Sequence, residues 1–238
     1  MRVGVIQSNY LPWRGYFDFI RSVDVFVFHD DIQYTKSDWR NRNRLKTPQG
    51  LRWMTVPVHY RKTAQLICDT EIDYARDWRR EHLQLVATHL GKAPHVADVR
   101  ALLEPVFDDP PATISELNIA LIQSVCDYLG ISTTLRRSSD FRLEGAKTER
   151  LLHLLTALDA TTYVSGPSAK AYLNETSFSD AGIALEYKSY LYPDYPQLWG
   201  PFEGAVSIVD LIANCGPASA ELITSEGDSL ADRHDLAA

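Results

Sequence analysis

The sequence predicts an α/β fold with a parallel, Rossmann-like sheet, flanking helices and a helical insertion or subdomain. Two short apolar runs, residues 3–6 and 25–28, have the length and the β-branched residues of buried strands. Between them, residues 16–22 place Phe17 and Ile20 on one stripe of a helix. A strand, a helix and a second strand in this order are typical of a parallel βαβ unit.

The middle of the chain is predicted to contain a hairpin and then several helices. Residues 52–58 alternate as a strand after a turn at residues 47–50, which contains proline and glycine. Amphipathic helical periods follow over residues 78–90, 96–107 and 113–129. We therefore expect a helical subdomain over about residues 77–130, inserted between two α/β halves.

The last third of the chain again alternates between strand and helix patterns. Strand patterns lie at residues 133–135, 161–165 and 183–187. Helical patterns lie at residues 147–158, 168–173 and 207–213. Residues 1–223 are therefore predicted to form one α/β domain, and the polar residues 224–238 are predicted to be a disordered tail.

The composition indicates a globular, cytoplasmic protein whose partners are neither nucleic acid nor membrane. The formal net charge is −7, whereas a nucleic-acid-binding protein usually carries a strong basic footprint. The start of the chain lacks a signal-peptide pattern, and no apolar run reaches the roughly 18–20 residues of a membrane helix. The three cysteines match no zinc-site spacing, so we expect reduced thiols and no metal.

Polar side chains follow the first two predicted strands. Gln7, Asn9 and Tyr10 come after the first strand, and Asp30 and Asp31 come after the second. Ligands of open α/β sheets bind outside the carboxyl ends of the strands, so these residues form the first candidate substrate site. Amide side chains supply fixed donors and acceptors for a polar ligand. The alternative is a structural turn packed on the core.

His29, Asp30 and Asp31 are the candidate catalytic residues. An imidazole or a carboxylate can accept a proton from a reacting group as a general base. Adjacent residues of a strand face opposite ways, so the sequence leaves open which aspartate faces the site. A helix cap or an ion pair with the following arginines is the structural alternative, and binding of a divalent metal by the two aspartates is a further one.

The second candidate site is a basic segment in which arginine and asparagine alternate: Arg40, Asn41, Arg42, Asn43 and Arg44. A strand would place the three arginines on one face and the two asparagines on the other. Guanidinium groups bind carboxylate or phosphate through two parallel hydrogen bonds. An anionic ligand such as a nucleotide sugar or a pantetheine thioester suits this pattern, and a solvated basic edge is the alternative.

The third candidate site lies in the second half of the chain. Lys147 stands at the start of a predicted helix, where anions are favoured. Ser165 and Gly166 end a predicted strand, where a hydroxyl or backbone N–H groups can meet a substrate. Neither the Walker A pattern nor the Gly-x-Ser-x-Gly pattern of serine hydrolases is present. Capping and turn formation are the structural alternatives.

An ordered set of motifs extends over nearly the whole chain: residues 7–17, 30–34, 39–44, 138–139, 147–150, 163–166, 195–197 and 207–210, with Phe202. In this order they resemble the WbqC-like protein family over about residues 3–216. The resemblance implies a setting, because members are associated with bacterial surface-polysaccharide gene clusters and with some natural-product clusters. It also implies a role in attaching glycine or another acyl group to an amino sugar.

These observations favour an acyl or aminoacyl transferase that forms an amide. The expected acceptor is a small-molecule amine, such as a nucleotide-linked amino sugar, and the expected donor is a CoA or carrier-protein thioester, so no cofactor is required. The arginines would hold phosphate, Asp31 or His29 would take the proton of the amine, and backbone N–H groups near Gly166 or Asn9 would hold the oxyanion.

Two other functions are compatible with the same residues. One is a nucleotidyltransferase-like enzyme acting on a phosphorylated small molecule, since the chain begins with a strand, a loop, a helix and a strand. The other is a non-catalytic binding protein of a biosynthetic complex. If the protein is the acyl transferase, the expected macromolecular partner is an acyl-carrier protein.

Overall fold

The computed structural model describes residues 1–61, 64–171 and 173–225. Its strands are β1 (Arg2–Ile6), β2 (Val25–Phe28), β3 (Arg42–Thr47), β4 (Gly50–Thr55), β5 (Thr134–Arg137), β6 (Thr162–Ser165) and β7 (Ala184–Tyr187). Its α-helices are α1 (Arg14–Arg21), α2 (Trp78–Leu90), α3 (Val96–Asp108), α4 (Ile114–Leu129), α5 (Thr148–Ala157), α6 (Glu175–Asp180), α7 (Ile208–Cys215) and α8 (Ser219–Leu222). Short 3₁₀ helices cover Ser138–Asp140, Pro167–Ala171 and Gly216–Ala218.

Five parallel strands form the main sheet, in the order β5-β2-β1-β6-β7. The central strand, β1, pairs with β2 on one side and with β6 on the other, so that Val3 lies opposite both Val25 and Tyr163. The chain therefore winds outward from β1 in one direction and then in the other. This confirms the predicted parallel, Rossmann-like α/β fold, and it places the point of reversal between β1 and β6.

Each face of the sheet has its own hydrophobic cluster, because successive residues of a strand point to opposite sides. One cluster contains Val3, Val5, Val25 and Val27 with Leu154 and Leu155 of α5 and Phe178 of α6. Phe26 and Phe28 belong to a larger cluster on the opposite face, which also contains Phe17 of α1. At Gly4 of β1, an added Cβ would lie 2.4 Å from the ring of Phe19, so glycine allows α1 to lie close to the sheet.

The inserted helices α2, α3 and α4 share the larger cluster with the sheet. Val86, Leu103 and Leu117 are buried in the same cluster as Phe17, and α7 packs against α3. The helical segment is thus joined to the α/β part through a continuous apolar core. Thr113 caps the N-terminus of α4: its side chain accepts from the backbone N–H of Glu116, whose carboxylate accepts from the backbone N–H of Thr113.

Several predicted strand and helix boundaries differ from those in the structure. A short sequence pattern does not show where hydrogen-bonded pairing between strands ends. The second hairpin strand ends at Thr55 instead of residue 58, and its partner is β3, which begins at Arg42 within the basic segment. The predicted helix at residues 168–173 is a 3₁₀ helix at Pro167–Ala171, and α6 was not predicted.

Thr224 and Ser225, the first two residues of the predicted disordered tail, belong to the described part of the chain. Ser225 is buried, and its hydroxyl accepts from the backbone N–H of Leu191 at 3.1 Å. The rest of that prediction, residues 226–238, lies outside the described residues. Within the described ranges, none of the helices combines the length and the apolar character needed to span a bilayer.

A buried tyrosine–histidine pair joins α2 to the loop that follows β1, residues 7–13, which we call the β1 loop. The pair provides a test of stability. The hydroxyl of Tyr10 lies 2.8 Å from Nδ1 of His82, and both residues are buried. Burial lowers the pKa of His82 from 6.5 to about 4. Between these two pH values the proton binds to unfolded His82 but not to the folded one, so acidification favours unfolding.

We expect the free energy of unfolding to be highest above pH 6.5 and to fall by about 3 kcal/mol, from this histidine, as the pH drops towards 4. Urea unfolding over this pH range measures the loss. The variant His82→Gln, which does not titrate, should show a shallower slope. An unchanged slope would mean that folded His82 accepts the proton without cost.

Candidate functional site

The carboxyl edge of the sheet brings together side chains that are distant in the sequence. Residues 7–13 follow β1, and His29, Asp30 and Asp31 follow β2. Ser138 follows β5, and Gly166 follows β6. Parallel neighbouring strands end at the same edge, so the order β5-β2-β1-β6 alone places these loops side by side.

Asp30 is part of the interior beneath this edge. It is 4% exposed, and its carboxylate accepts from the backbone N–H of Ser8 at 2.8 Å and from the hydroxyl of Ser115 at 2.5 Å. Ser8 belongs to the β1 loop and Ser115 to α4. Asp30 therefore joins three parts of the chain, and both of its carboxylate oxygens are occupied by these partners.

Asp31 points away from the interior that Asp30 enters. Its carboxylate is the centre of a polar cluster with three other side chains. Its carboxylate accepts from the hydroxyl of Ser138 at 2.5 Å, forms an ion pair with Arg150 of α5, and lies 3.7 Å from Nε2 of His29. We call His29, Asp31, Ser138 and Arg150 the polar cluster. The structure thus shows which of the two adjacent aspartates faces the edge.

His29 is held in this cluster with an imidazole that favours its neutral form. Burial is the main cause that lowers its pKa below the usual 6.5, the neighbouring guanidinium of Arg150 lowers it further, and the carboxylate of Asp31 opposes both. A neutral imidazole can accept a proton at neutral pH. Its Nε2 is buried, lies on the side of Asp31 and has no hydrogen-bond partner among the described residues, whereas 20% of the side chain is exposed.

Gln7 and Gly166 complete the edge on the other side of β1. The side-chain amide of Gln7 has no hydrogen-bond partner within the described ranges, and its backbone carbonyl accepts from the hydroxyl of Tyr16 at 3.0 Å. An added Cβ at Gly166 would meet nothing within 4 Å, so space is open there. Ser165, by contrast, is buried, and its hydroxyl donates to Tyr163 at 3.4 Å.

A cleft of about 340 Å³ opens beside the β1 loop. It is lined by Asn9, Pro12, Trp13, Trp39, Asn43, Arg44, Gly204 and Ala205. Gly204 and Ala205 come from the long segment between β7 and α7, residues 188–207, which we call the β7–α7 segment. Two of the three predicted site segments, the β1 loop and the basic segment, therefore contribute to one cleft.

The predicted face of three arginines contains only two of them. The strand β3 begins at Arg42, so Arg42 and Arg44 share a face, whereas Arg40 lies in the preceding turn. Arg40 donates to Oδ1 of Asn9 at 2.6 Å and lies 3.7 Å from the carboxylate of Asp38. Arg40 therefore has partners of its own and supports the β1 loop.

Three other predicted ligand-binding residues are buried and hydrogen-bonded within the protein. Tyr10 bonds to His82 as described above, and Asn41 donates to the backbone carbonyl of Val56 at 2.9 Å. Asn43 donates to the carbonyls of Tyr10 and Leu11, so its amide forms the floor of the cleft. These side chains hold the segments around the cleft in place through hydrogen bonds inside the protein.

Gly15 has a packing role, and Lys147, the predicted anion-binding residue, lies at the surface. An added Cβ at Gly15 would lie 2.4 Å from the ring of Trp13, so this glycine makes room for the indole and not for a ligand. Lys147 is exposed at the start of α5, where its backbone has a positive φ of 50°. The cation that reaches the polar cluster is Arg150, one turn further on, which the Lys147–Arg150 motif contained.

Comparisons with known proteins agree with the resemblance read from the motifs. The WbqC-like protein family matches residues 7–222 of the chain. The chain is similar to the uncharacterized protein Rv1507c of Mycobacterium tuberculosis, with 48% identity over 218 residues that cover 90% of this chain and 94% of that protein. No solved structure matches the chain. Because the match includes the edge of the sheet, the basic segment and the cleft, the whole site falls within it, and the chain belongs to the WbqC-like protein family.

Proposed function

We propose that this protein is an N-acyl or aminoacyl transferase, which forms an amide between an amino sugar or related amine and the acyl group of a thioester. The observation that carries the proposal is the polar cluster, in which a largely buried neutral histidine lies beside an aspartate at the carboxyl edge of the sheet. Such a pair suits the removal of a proton from an attacking amine. Glycine is the acyl group that the resemblance to this family implies.

The proposed roles of Asp31 and His29 follow from the contacts that each side chain already makes within the protein. Both carboxylate oxygens of Asp31 have protein partners, Ser138 and Arg150, so we assign Asp31 to holding the imidazole of His29 in place. His29 is then assigned the role of proton acceptor, because its imidazole favours the neutral form and its side chain is 20% exposed. The proposal thus selects His29 over Asp31, the two acceptors between which the sequence left a choice.

The reaction balances without a further reagent. The amine nitrogen attacks the thioester carbonyl carbon, the C–N bond forms and the C–S bond breaks. The proton lost by the amine passes through His29 to the departing thiolate, so the products are an amide and a free thiol. The backbone N–H of Gly166 and the amide of Gln7 are the proposed donors to the oxyanion, since both lie at the open part of the edge.

An assay for thiol release tests the proposal directly. Purified protein is mixed with glycyl- or acetyl-pantetheine and with a nucleotide-linked amino sugar, in the absence of ATP. We expect thiol release that depends on the amine, together with an amide product identified by mass spectrometry. A product that forms only when ATP is added would contradict the thioester mechanism.

Nucleotidyl transfer is the second candidate, and the strand order supports it. A parallel sheet that reverses direction beside β1 binds nucleotides in many enzymes, with phosphate near the start of the following helix. This alternative predicts pyrophosphate release from a nucleoside triphosphate and magnesium when a phosphorylated small molecule is added. Pyrophosphate release without thiol release would replace the first proposal by this one.

A further inference from the structure

Two arginines beside the cleft have no partner of opposite charge. Arg42 and Arg44 make neither a hydrogen bond nor an ion pair through their guanidinium groups within the described ranges. Nε of each is buried and lacks a hydrogen-bond partner there. The whole chain has a net charge of −7, so acidic residues are in excess, yet none of those described pairs with these two. Buried or half-buried cations without partners are costly, and an anionic ligand would offset that cost.

Two half-exposed tryptophans frame these arginines. The guanidinium carbon of Arg42 lies 4.2 Å from the ring centre of Trp53, and that of Arg44 lies 5.5 Å from Trp39 and 5.6 Å from Trp53. The two indole rings are 5.4 Å apart and are 40% and 41% exposed. Stacking against the indoles fixes the planes of the guanidinium groups while their edges stay open to a ligand.

The cleft continues this surface into an apolar space. Its walls include the indoles of Trp13 and Trp39, and Arg44 lies at its rim. Asn9 is held by Arg40 through Oδ1, which leaves its amide N–H groups facing no partner within the described ranges. The cleft is therefore suited to a planar ring with a few polar edges, and its rim is suited to a negative charge.

We infer that this cleft binds a nucleoside diphosphate group, with the base between Trp13 and Trp39 and the phosphates on Arg44 and Arg42. Stacking on tryptophan is available to every nucleobase, and the guanidinium fork fits phosphate oxygens. That the cleft binds the activated amino sugar is an inference that rests on the proposed function. That the cleft binds a nucleotide rests only on the cleft and the two arginines.

Calorimetric titration of the full chain tests the inference with UDP, ADP and GDP, and with uridine and inorganic pyrophosphate as partial ligands. At least one nucleoside diphosphate should bind about tenfold or more tightly than either partial ligand, because the ring and the phosphates contact different groups. Failure of all three nucleotides to bind would overturn the inference, as would pyrophosphate binding that is equally tight.

Matched variants separate a built site from general surface charge. Arg44→Gln should weaken binding of the nucleotide about tenfold or more, and Trp39→Leu should weaken binding of the nucleotide about tenfold but binding of pyrophosphate much less, because Arg44 still stacks on Trp53. Arg52→Gln removes the same charge from an exposed position of the same hairpin and should have little effect. Equal losses in the two arginine variants would overturn the inference.

The two proposals fail in different ways. His29→Gln should bind the nucleoside diphosphate with unchanged affinity, because His29 does not line the cleft. Nucleotide binding without amide formation would support the nucleotide site and refute the transferase. Amide formation from an amine that carries no nucleotide, with no binding of UDP, ADP or GDP, would support the transferase and refute the nucleotide site.

Discussion

Replacing His29 by glutamine is expected to lower the rate of amide formation by about 100-fold or more, because general bases contribute factors of roughly 10² to 10⁴. Glutamine preserves much of the volume and polarity but accepts no proton. In the parent protein the rate should also fall as the pH drops through the pKa of His29, which burial places below 6.5. Initial rates of thiol release measured across this pH range test both statements.

The control for this prediction is a histidine that the structure keeps away from the edge. His153 is exposed on α5, and His153→Gln should retain the parent rate and the parent pH dependence. Protonation of the substrate amine also lowers the rate at acid pH, and this loss should remain in His29→Gln. The additional fall through the pKa of His29 should be absent. If the slow variant kept that additional fall, the proton acceptor would be another group, and the proposed role of His29 would be wrong.

Replacing Lys188 by methionine is expected to lower the free energy of unfolding by about 3–5 kcal/mol, because it removes one partner of a buried ion pair. Nζ of Lys188 lies 3.0 Å from the carboxylate of Asp18 in α1, and their side chains are 3% and 4% exposed. The same carboxylate accepts from the hydroxyl of Tyr192 at 2.6 Å. Urea unfolding of the parent and variant proteins measures the loss.

The double variant Asp18→Asn with Lys188→Met distinguishes an unpaired charge from lost packing. Asparagine keeps an acceptor for Tyr192 but removes the buried charge, so most of the lost stability should return. If the double variant were as unstable as Lys188→Met, packing around the lysine stem would explain the loss. The ion pair anchors the start of the β7–α7 segment to α1, so the test also examines how one wall of the cleft is held.

The β7–α7 segment shows why sequence patterns could not locate the cleft. The sequence marked residues 195–197 and Phe202 of this segment but did not show which parts of the chain they contact. In the structure Arg14 donates to the backbone carbonyl of Pro193 at 2.8 Å, and Lys46 donates to the side chain of Gln197 at 2.7 Å. Tyr195 donates to Asp210 at 2.9 Å. These contacts join residues far apart in the chain, and no local period contains them.

The sequence by itself determined the α/β class, the parallel sheet and most helices, because those depend on local hydrophobic periods and on caps such as Thr113. It also named the residues from which the site is built and the family to which the chain belongs. The tertiary structure alone decided their roles. It turned Asp30 inward to Ser115 and Asp31 outward to Arg150, although the two are adjacent in sequence. It also left Arg42 and Arg44 without carboxylate partners within the described ranges. Which groups are buried and which remain unpaired depends on strand order and on packing between distant segments, and local patterns carry no information on either.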